Sequence, residues 1–176
     1  MQNQKIITAT LQFLKIYAPY CTHALTLQTN LSTYNVTKAK MELLNELAIR
    51  NTRFFVRRLA TTAYGNGATR KTHTLHPLVI TTIEGTLNNY DKNKTLHTHI
   101  ALGNILTPQS HIKTEEELIK TIKTNWLATE IGVADIVVKK INSNDWINYI
   151  TKELYEGNVD CVDWTNTHIP YKALLN

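Results

Sequence analysis

The run Leu96-His-Thr-His-Ile-Ala-Leu102 is the strongest single constraint on how this chain folds. Successive side chains of a β-strand point to opposite faces, so residues two apart share one face. Leu96, Thr98, Ile100 and Leu102 fall on one side, and His97, His99 and Ala101 on the other. The first set carries the bulky aliphatic groups, so that side is predicted to lie on the core. The two histidines then stand next to each other on the opposite face. Gly103-Asn104 closes the run. Before it, Leu75 to Ile83 reads as the partner strand of a hairpin, with Pro77 near its beginning because proline cannot donate to a ladder. Glu84 ends that strand and opens the hairpin loop.

The rest of the chain supplies the elements that such a hairpin needs. An irregular apolar pattern over residues 6–18 suggests a short helix. Thr22 to Thr29 is rich in β-formers and reads as a first strand. A helical pattern runs from about Val36 to Tyr64, with Met41, Leu44, Leu47 and Ala48 at helical spacing and a break expected near Asn51-Thr52. Gly65-Asn-Gly67 is a stop signal, since glycine accepts positive φ at a helix end. Thr114-Glu-Glu-Glu117 fits a capping box for a helix carrying Leu118, Ile119, Ile122 and Trp126 on one face. Gly132 to Ile141 is a fourth strand. Asn142-Ser-Asn-Asp145 offers caps for a last helix, Trp146 to Glu156. The order β-α-β-β-α-β-α predicts an α+β fold, an open antiparallel sheet of ferredoxin-like or RRM-like type. Helices cover one face, and a site lies on the other.

At 176 residues and 43% hydrophobic, the chain suits one domain over 1–176. No Gly-rich loop ending in Lys-Ser/Thr is present, so no helicase domain is expected. The formal net charge of +5 favours an anionic partner such as nucleic acid. The two cysteines, Cys21 and Cys161, form no metal-binding or redox spacing. The N-terminus lacks the apolar stretch of a signal peptide, and no run approaches the ~18 apolar residues of a membrane span. A cytoplasmic protein with no membrane partner is the expectation.

Two constellations carry chemistry. His97 and His99 with Glu84 offer two imidazoles and a carboxylate, a donor set for a divalent metal such as Mg²⁺ or Mn²⁺. On the last helix, Trp146, Ile147, Ile150 and Leu154 form an apolar stripe, with Tyr149 at its edge and Lys152 one turn on. An ordinary phenol is mostly protonated at neutral pH, and a lysine and a metal beside it would favour its reaction as a nucleophile. Tyr155 projects away from the stripe and is the poorer candidate. Arg53, Arg57, Arg58, Arg70, Lys71, Lys139 and Lys140 are candidate contacts to nucleic-acid backbone phosphates.

These residues carry a resemblance to a family. His97-Thr-His99 resembles the His-hydrophobe-His motif of the HUH endonucleases, and Tyr149-Ile-Thr-Lys152 their Tyr-x-x-Lys motif. Leu25-Thr-Leu-Gln-Thr29 is similar to the family's first motif, and Glu84 falls where the third metal ligand is usually found. The stretches Trp146 to Glu153 and Val162 to His168 are similar to those of phage-type replication initiators. The likeness runs from about residue 22 to 168, with Thr98 standing where the family has a bulky hydrophobe. It implies an enzyme that nicks and rejoins single-stranded DNA at a replication origin through a 5′-phosphotyrosine link. That reaction would start rolling-circle replication of a phage or plasmid. Tyr149 and Lys152 would be catalytic, Glu84, His97 and His99 would hold the metal, and a separate helicase and polymerase would be partners.

Other readings share these features. A relaxase or an HUH transposase would use the same chemistry. A non-catalytic nucleic-acid-binding domain of RRM-like architecture would need stacking aromatics on the open face, where the third strand offers His97, His99 and Ala101. A metallo-β-lactamase-like hydrolase would place an Asp where Ala101 stands, and a two-histidine phosphoesterase would need a second His-x-Thr/Ser run.

Overall fold

The computed structural model describes residues 2–69, 75–87, 91, 94–143 and 145–170. Its elements are α1 (Gln2–Tyr17), β1 (Cys21–Ser32), α2 (Lys38–Tyr64), β2 (Leu78–Glu84), β3 (Thr95–Gly103), α3 (Glu115–Leu127), β4 (Gly132–Lys140), α4 (Asp145–Ile150) and α5 (Lys152–Tyr155). The strands form one antiparallel sheet in the order β2-β3-β1-β4. That order, with helices crossing between β1 and β2 and between β3 and β4, is the split strand–helix–strand arrangement expected of a ferredoxin-like or RRM-like fold.

Parity holds throughout β3. Leu96, Ile100 and Leu102 join Leu25 and Leu27 of β1 in a core covered by Ala48, Phe55 and Leu59 of α2 and Leu118, Ile122 and Trp126 of α3. Thr98 is also buried there, with its hydroxyl 3.3 Å from that of Thr52 on α2. The small polar residue between the histidines thus has a buried polar partner on the helix that covers it.

Polar residues that suggested a break in the second helix are satisfied by tertiary contacts instead. Asn51 donates to the Leu47 carbonyl at 2.9 Å and accepts from the Glu130 amide at 3.0 Å. The helix therefore runs unbroken for 27 residues and stops at Gly65, whose φ is +78°. The capping box forms as expected, with the Thr114 hydroxyl accepting from the Glu117 amide at 3.1 Å and Glu117 accepting from the Thr114 amide at 3.2 Å.

The second face is less open than the sequence suggests. The N-terminal helix is longer than residues 6–18 imply, and Ile7, Leu11 and Leu14 recur along one side of it. They build a second core with Leu78, Ile80 and Ala101 of the sheet and Ile147, Ile150 and Leu154 of α4 and α5. This core covers the part of the sheet where β2 begins and β3 ends. The opposite ends of those strands, carrying Glu84 and His97, reach beyond it. The segment after α5 runs along β2, where Val79 and His168 exchange backbone hydrogen bonds of 2.8 and 2.7 Å. This covers an edge that would otherwise offer unpaired backbone groups. No helix among the described residues is long and apolar enough to cross a membrane.

Both thiols lie inside this packing. Burial pushes Cys21 and Cys161 up to about 12, with Glu153 adding to the effect at Cys161. An unfolded thiol ionises near 8.5, so this part of the fold's stability is complete below that pH and is lost as pH rises towards 12. Iodoacetamide at pH 8 is expected to leave both thiols of the folded protein unmodified and to label both in guanidinium. Labelling of either at its unfolded rate would contradict their placement.

Candidate metal centre

Glu84 lies opposite His97 across the β2–β3 ladder, and His99 is one pair further along on the same face. The pleat brings the three side chains together. Glu84 Oε2 is 3.3 Å from His97 Nε2 and 2.7 Å from His99 Nε2. One ligand atom from each residue lies within 4.8 Å of the others. Cis ligands of an octahedral ion with bonds of about 2.1 Å stand about 3.0 Å apart. Two imidazoles and one carboxylate at this spacing fit a divalent metal and leave its remaining positions to water or substrate oxygen.

Local geometry directs the carboxylate. Gly85, immediately after it, has a φ of +103°, and a Cβ there would stand 2.6 Å from the Thr95 carbonyl oxygen. Only glycine fits the turn that ends β2 at Glu84. The Gly85 amide donates to Glu153 Oε1 at 2.8 Å. Glu153 is buried and also accepts from Thr86 at 3.0 Å and Asn158 at 2.8 Å, which ties α5 to the start of the hairpin loop. Sequence reasoning missed Glu153. Its signal was a lone acid at i+3 from Ile150, on the apolar side of the last helix.

That last helix also differs from the expected single element over residues 146–156. The Thr151 hydroxyl donates to the Ile147 carbonyl at 2.7 Å, and its backbone leaves the helical region at φ −108°, ψ 16°. Bonding of this kind to the i−4 carbonyl bends helices. The break separates α4, which carries Tyr149, from α5, which begins at Lys152. Lys152 pairs with Glu84 Oε1, so the two carboxylate oxygens serve different partners. Lys152 takes one, while the histidines share the other.

The electrostatics follow from these contacts. Burial alone would raise the Glu84 carboxyl, but hydrogen bonds from His97, His99 and Lys152 outweigh it and hold the group well below the usual carboxylate range. Burial is the main cause of a lowered His99, which keeps that imidazole neutral, the form that ligates a metal once its Nε2 proton is released from the bond to Glu84. Burial would lower Lys152, yet its bond to Glu84 raises it above the ordinary lysine value, so it stays cationic. The Thr26 hydroxyl, from the strand resembling the first motif, is 3.1 Å from His99 Nδ1 and fixes the ring's orientation.

Tyr149 forms a wall of this cluster. Its ring meets His99 edge-on at 5.2 Å, stacks on Trp146 at 4.9 Å with 28° between planes, and carries the Lys152 ammonium 4.9 Å from its centre. Nearly half of Tyr149 is exposed, at 46%, so its reach to an incoming ligand is unobstructed by the core. Tyr155 is exposed and bonds to Asn148 at 3.3 Å, away from the cluster.

The basic residues divide. Arg53, Arg57 and Arg58 are exposed on α2, which packs on the face opposite the histidines. Arg58 donates to Asn125 at 3.0 Å and lies 5.4 Å over the Phe54 ring. Arg70 and Lys71 fall outside the described residues. Lys140 projects on the helix side and pairs with Glu115 at 3.4 Å. Lys139 pairs in register with Ala24, and so is the one basic residue of this group, among the described residues, that shares the histidines' face.

No protein-family model, no curated protein and no solved structure matches this chain.

Mn²⁺ is expected to stabilise the fold by about 2.7 kcal/mol at a hundredfold excess over its Kd. Calorimetry should show the same ion binding once per chain, and His99→Ala should remove both effects. Identical melting curves with and without Mn²⁺ would rule out the centre.

Proposed function

We propose that this protein is a metal-dependent nickase and strand transferase for single-stranded DNA, of the HUH type that starts rolling-circle replication of a phage or plasmid. One observation carries the reading: the Tyr149/Lys152 pair lies directly against the Glu84/His97/His99 cluster. An exposed tyrosine and a fixed lysine meeting a mostly buried hard-metal donor set suit attack on a phosphodiester.

A divalent ion such as Mg²⁺ or Mn²⁺ held by Glu84, His97 and His99 would polarise the scissile phosphate. The Tyr149 oxygen attacks phosphorus, and the phenolic proton passes to water. A bond from the Tyr149 oxygen to phosphorus forms as the bond from phosphorus to the 3′ oxygen of the preceding nucleotide breaks. That oxygen takes a proton from water. The products are a 5′-phosphotyrosine and a free 3′-hydroxyl that primes synthesis. Reversal by a 3′-hydroxyl rejoins the strand and returns the phenol, with no net redox change. Lys152 supplies positive charge beside the ring as negative charge develops. Glu153 and Thr26 hold the lysine helix and the His99 ring in place. Unwinding and synthesis belong to a separate helicase and polymerase.

A second reading is favoured by the stack of the exposed Tyr149 on the half-buried Trp146, since accessible aromatics bind unpaired bases without any chemistry. Incubation with a random-sequence pool of single-stranded DNA and Mn²⁺ separates the two. The nickase reading predicts a covalent adduct that survives denaturing electrophoresis, is lost in Tyr149→Phe and persists in Tyr155→Phe. DNA binding without an adduct would establish the binding role instead.

A further inference from the structure

Beside Tyr149 lies a cavity of about 290 Å³ that the chemistry above leaves unused. Its lining includes Ala24, Lys139, Lys140, Asp145, Trp146 and Tyr149. Four observations describe what it would take. It lies at the small end of ligand clefts, which run to about 300–1,000 Å³, so it suits one ring system. Trp146 and Tyr149, two of its lining residues, are stacked on each other with 28° between their planes. The buried Trp146 N–H has no hydrogen-bond partner among the described residues, so packing and not a polar contact positions the ring. Lys139 is exposed, shares the face of Ala24 and makes no ion pair among the described residues.

A mostly apolar cavity with two aromatic side chains and a lysine that makes no ion pair among the described residues fits a planar heterocycle that carries a phosphate. Ala24 matters for the space: any larger residue at this β1 position would extend into it. The larger cavity of about 630 Å³ around His23 and Glu115 has no tryptophan, tyrosine or phenylalanine in its lining.

We propose that this cavity is a nucleobase pocket, and that it takes the base of a nucleotide flanking the phosphate that Tyr149 attacks. The proposal rests on the single-stranded DNA reading of the site. Trp146 supplies the stacking surface, and Lys139 meets the phosphate of the same nucleotide. The pocket touches the nucleophile itself, so its occupant would set which phosphate reaches Tyr149. It therefore gives the reaction a preference for one base at one position.

The test uses the intact protein and a mixed-sequence single-stranded 20-mer carrying 5-iodouracil. Irradiation of the complex is expected to crosslink the base to Trp146 or Tyr149, located by mass spectrometry. Ala24→Leu, which fills the cavity from the strand, is expected to weaken binding roughly tenfold or more, as loss of one stacked base does. It should leave Mn²⁺ binding unchanged, which reports an intact fold. Lys139→Glu, at an exposed position, is expected to weaken binding and flatten its salt dependence. Crosslinks confined to Trp164 or other distant residues, with Ala24→Leu binding like the unaltered protein, would overturn the pocket while leaving DNA binding intact. Failure of the unaltered protein to bind the 20-mer at all would overturn the DNA reading together with the pocket.

Discussion

One carboxylate joins the two halves of the proposed site. Glu84 is 13% exposed, and a charge so placed is costly unless it is paired. It is paired three times, by Lys152 on one oxygen and by His97 and His99 on the other. The first contact ties the last helices to the end of β2, and the second ties β2 to the histidines of β3. Removing Glu84 would leave the Lys152 ammonium without its counter-charge and the two imidazoles without their acceptor. A divalent ion at the histidines would meet an oxygen that Lys152 does not occupy, so metal and lysine can be held together.

Packing explains where the cluster sits. The sheet has a core on each face. The core under α2 and α3 is large and continuous and fixes the register of all four strands. The core under α1, α4 and α5 is smaller and covers the part of the sheet around Leu78, Ile80 and Ala101. It holds the last helices firmly against the sheet, yet leaves Glu84, His97 and the Tyr149 ring at its margin. The proposed site thus combines a rigid base with a partly exposed margin, as the proposed chemistry requires.

Much of this was legible from local pattern. Alternation along residues 96–102 separated the core side of β3 from the histidine side, because strand geometry leaves no other choice. The Thr114 cap and the Gly65 stop were legible for the same reason, as each depends on a few neighbouring residues. What stayed hidden depends on distant contacts. Asn51 and Thr52 look like helix breakers until Glu130 and Thr98 satisfy them. Thr151 gave no sign of a break, since a threonine bonds back to a carbonyl in some helices and not in others. The N-terminal helix reads as a short irregular segment because its partners, Ile80 and Ile147, are far along the chain. The arginines of α2 looked like DNA contacts on charge alone, and only the layer order places them across the sheet from the histidines.

Anomalous diffraction from crystals soaked in Mn²⁺ tests the centre most directly. One strong manganese peak is expected, bounded by Glu84 Oε2, His97 Nε2 and His99 Nε2, with Lys152 still on Glu84 Oε1 and the Tyr149 ring alongside. A peak elsewhere, or an undisturbed hydrogen bond between His99 and Glu84 with no manganese bound, would contradict it.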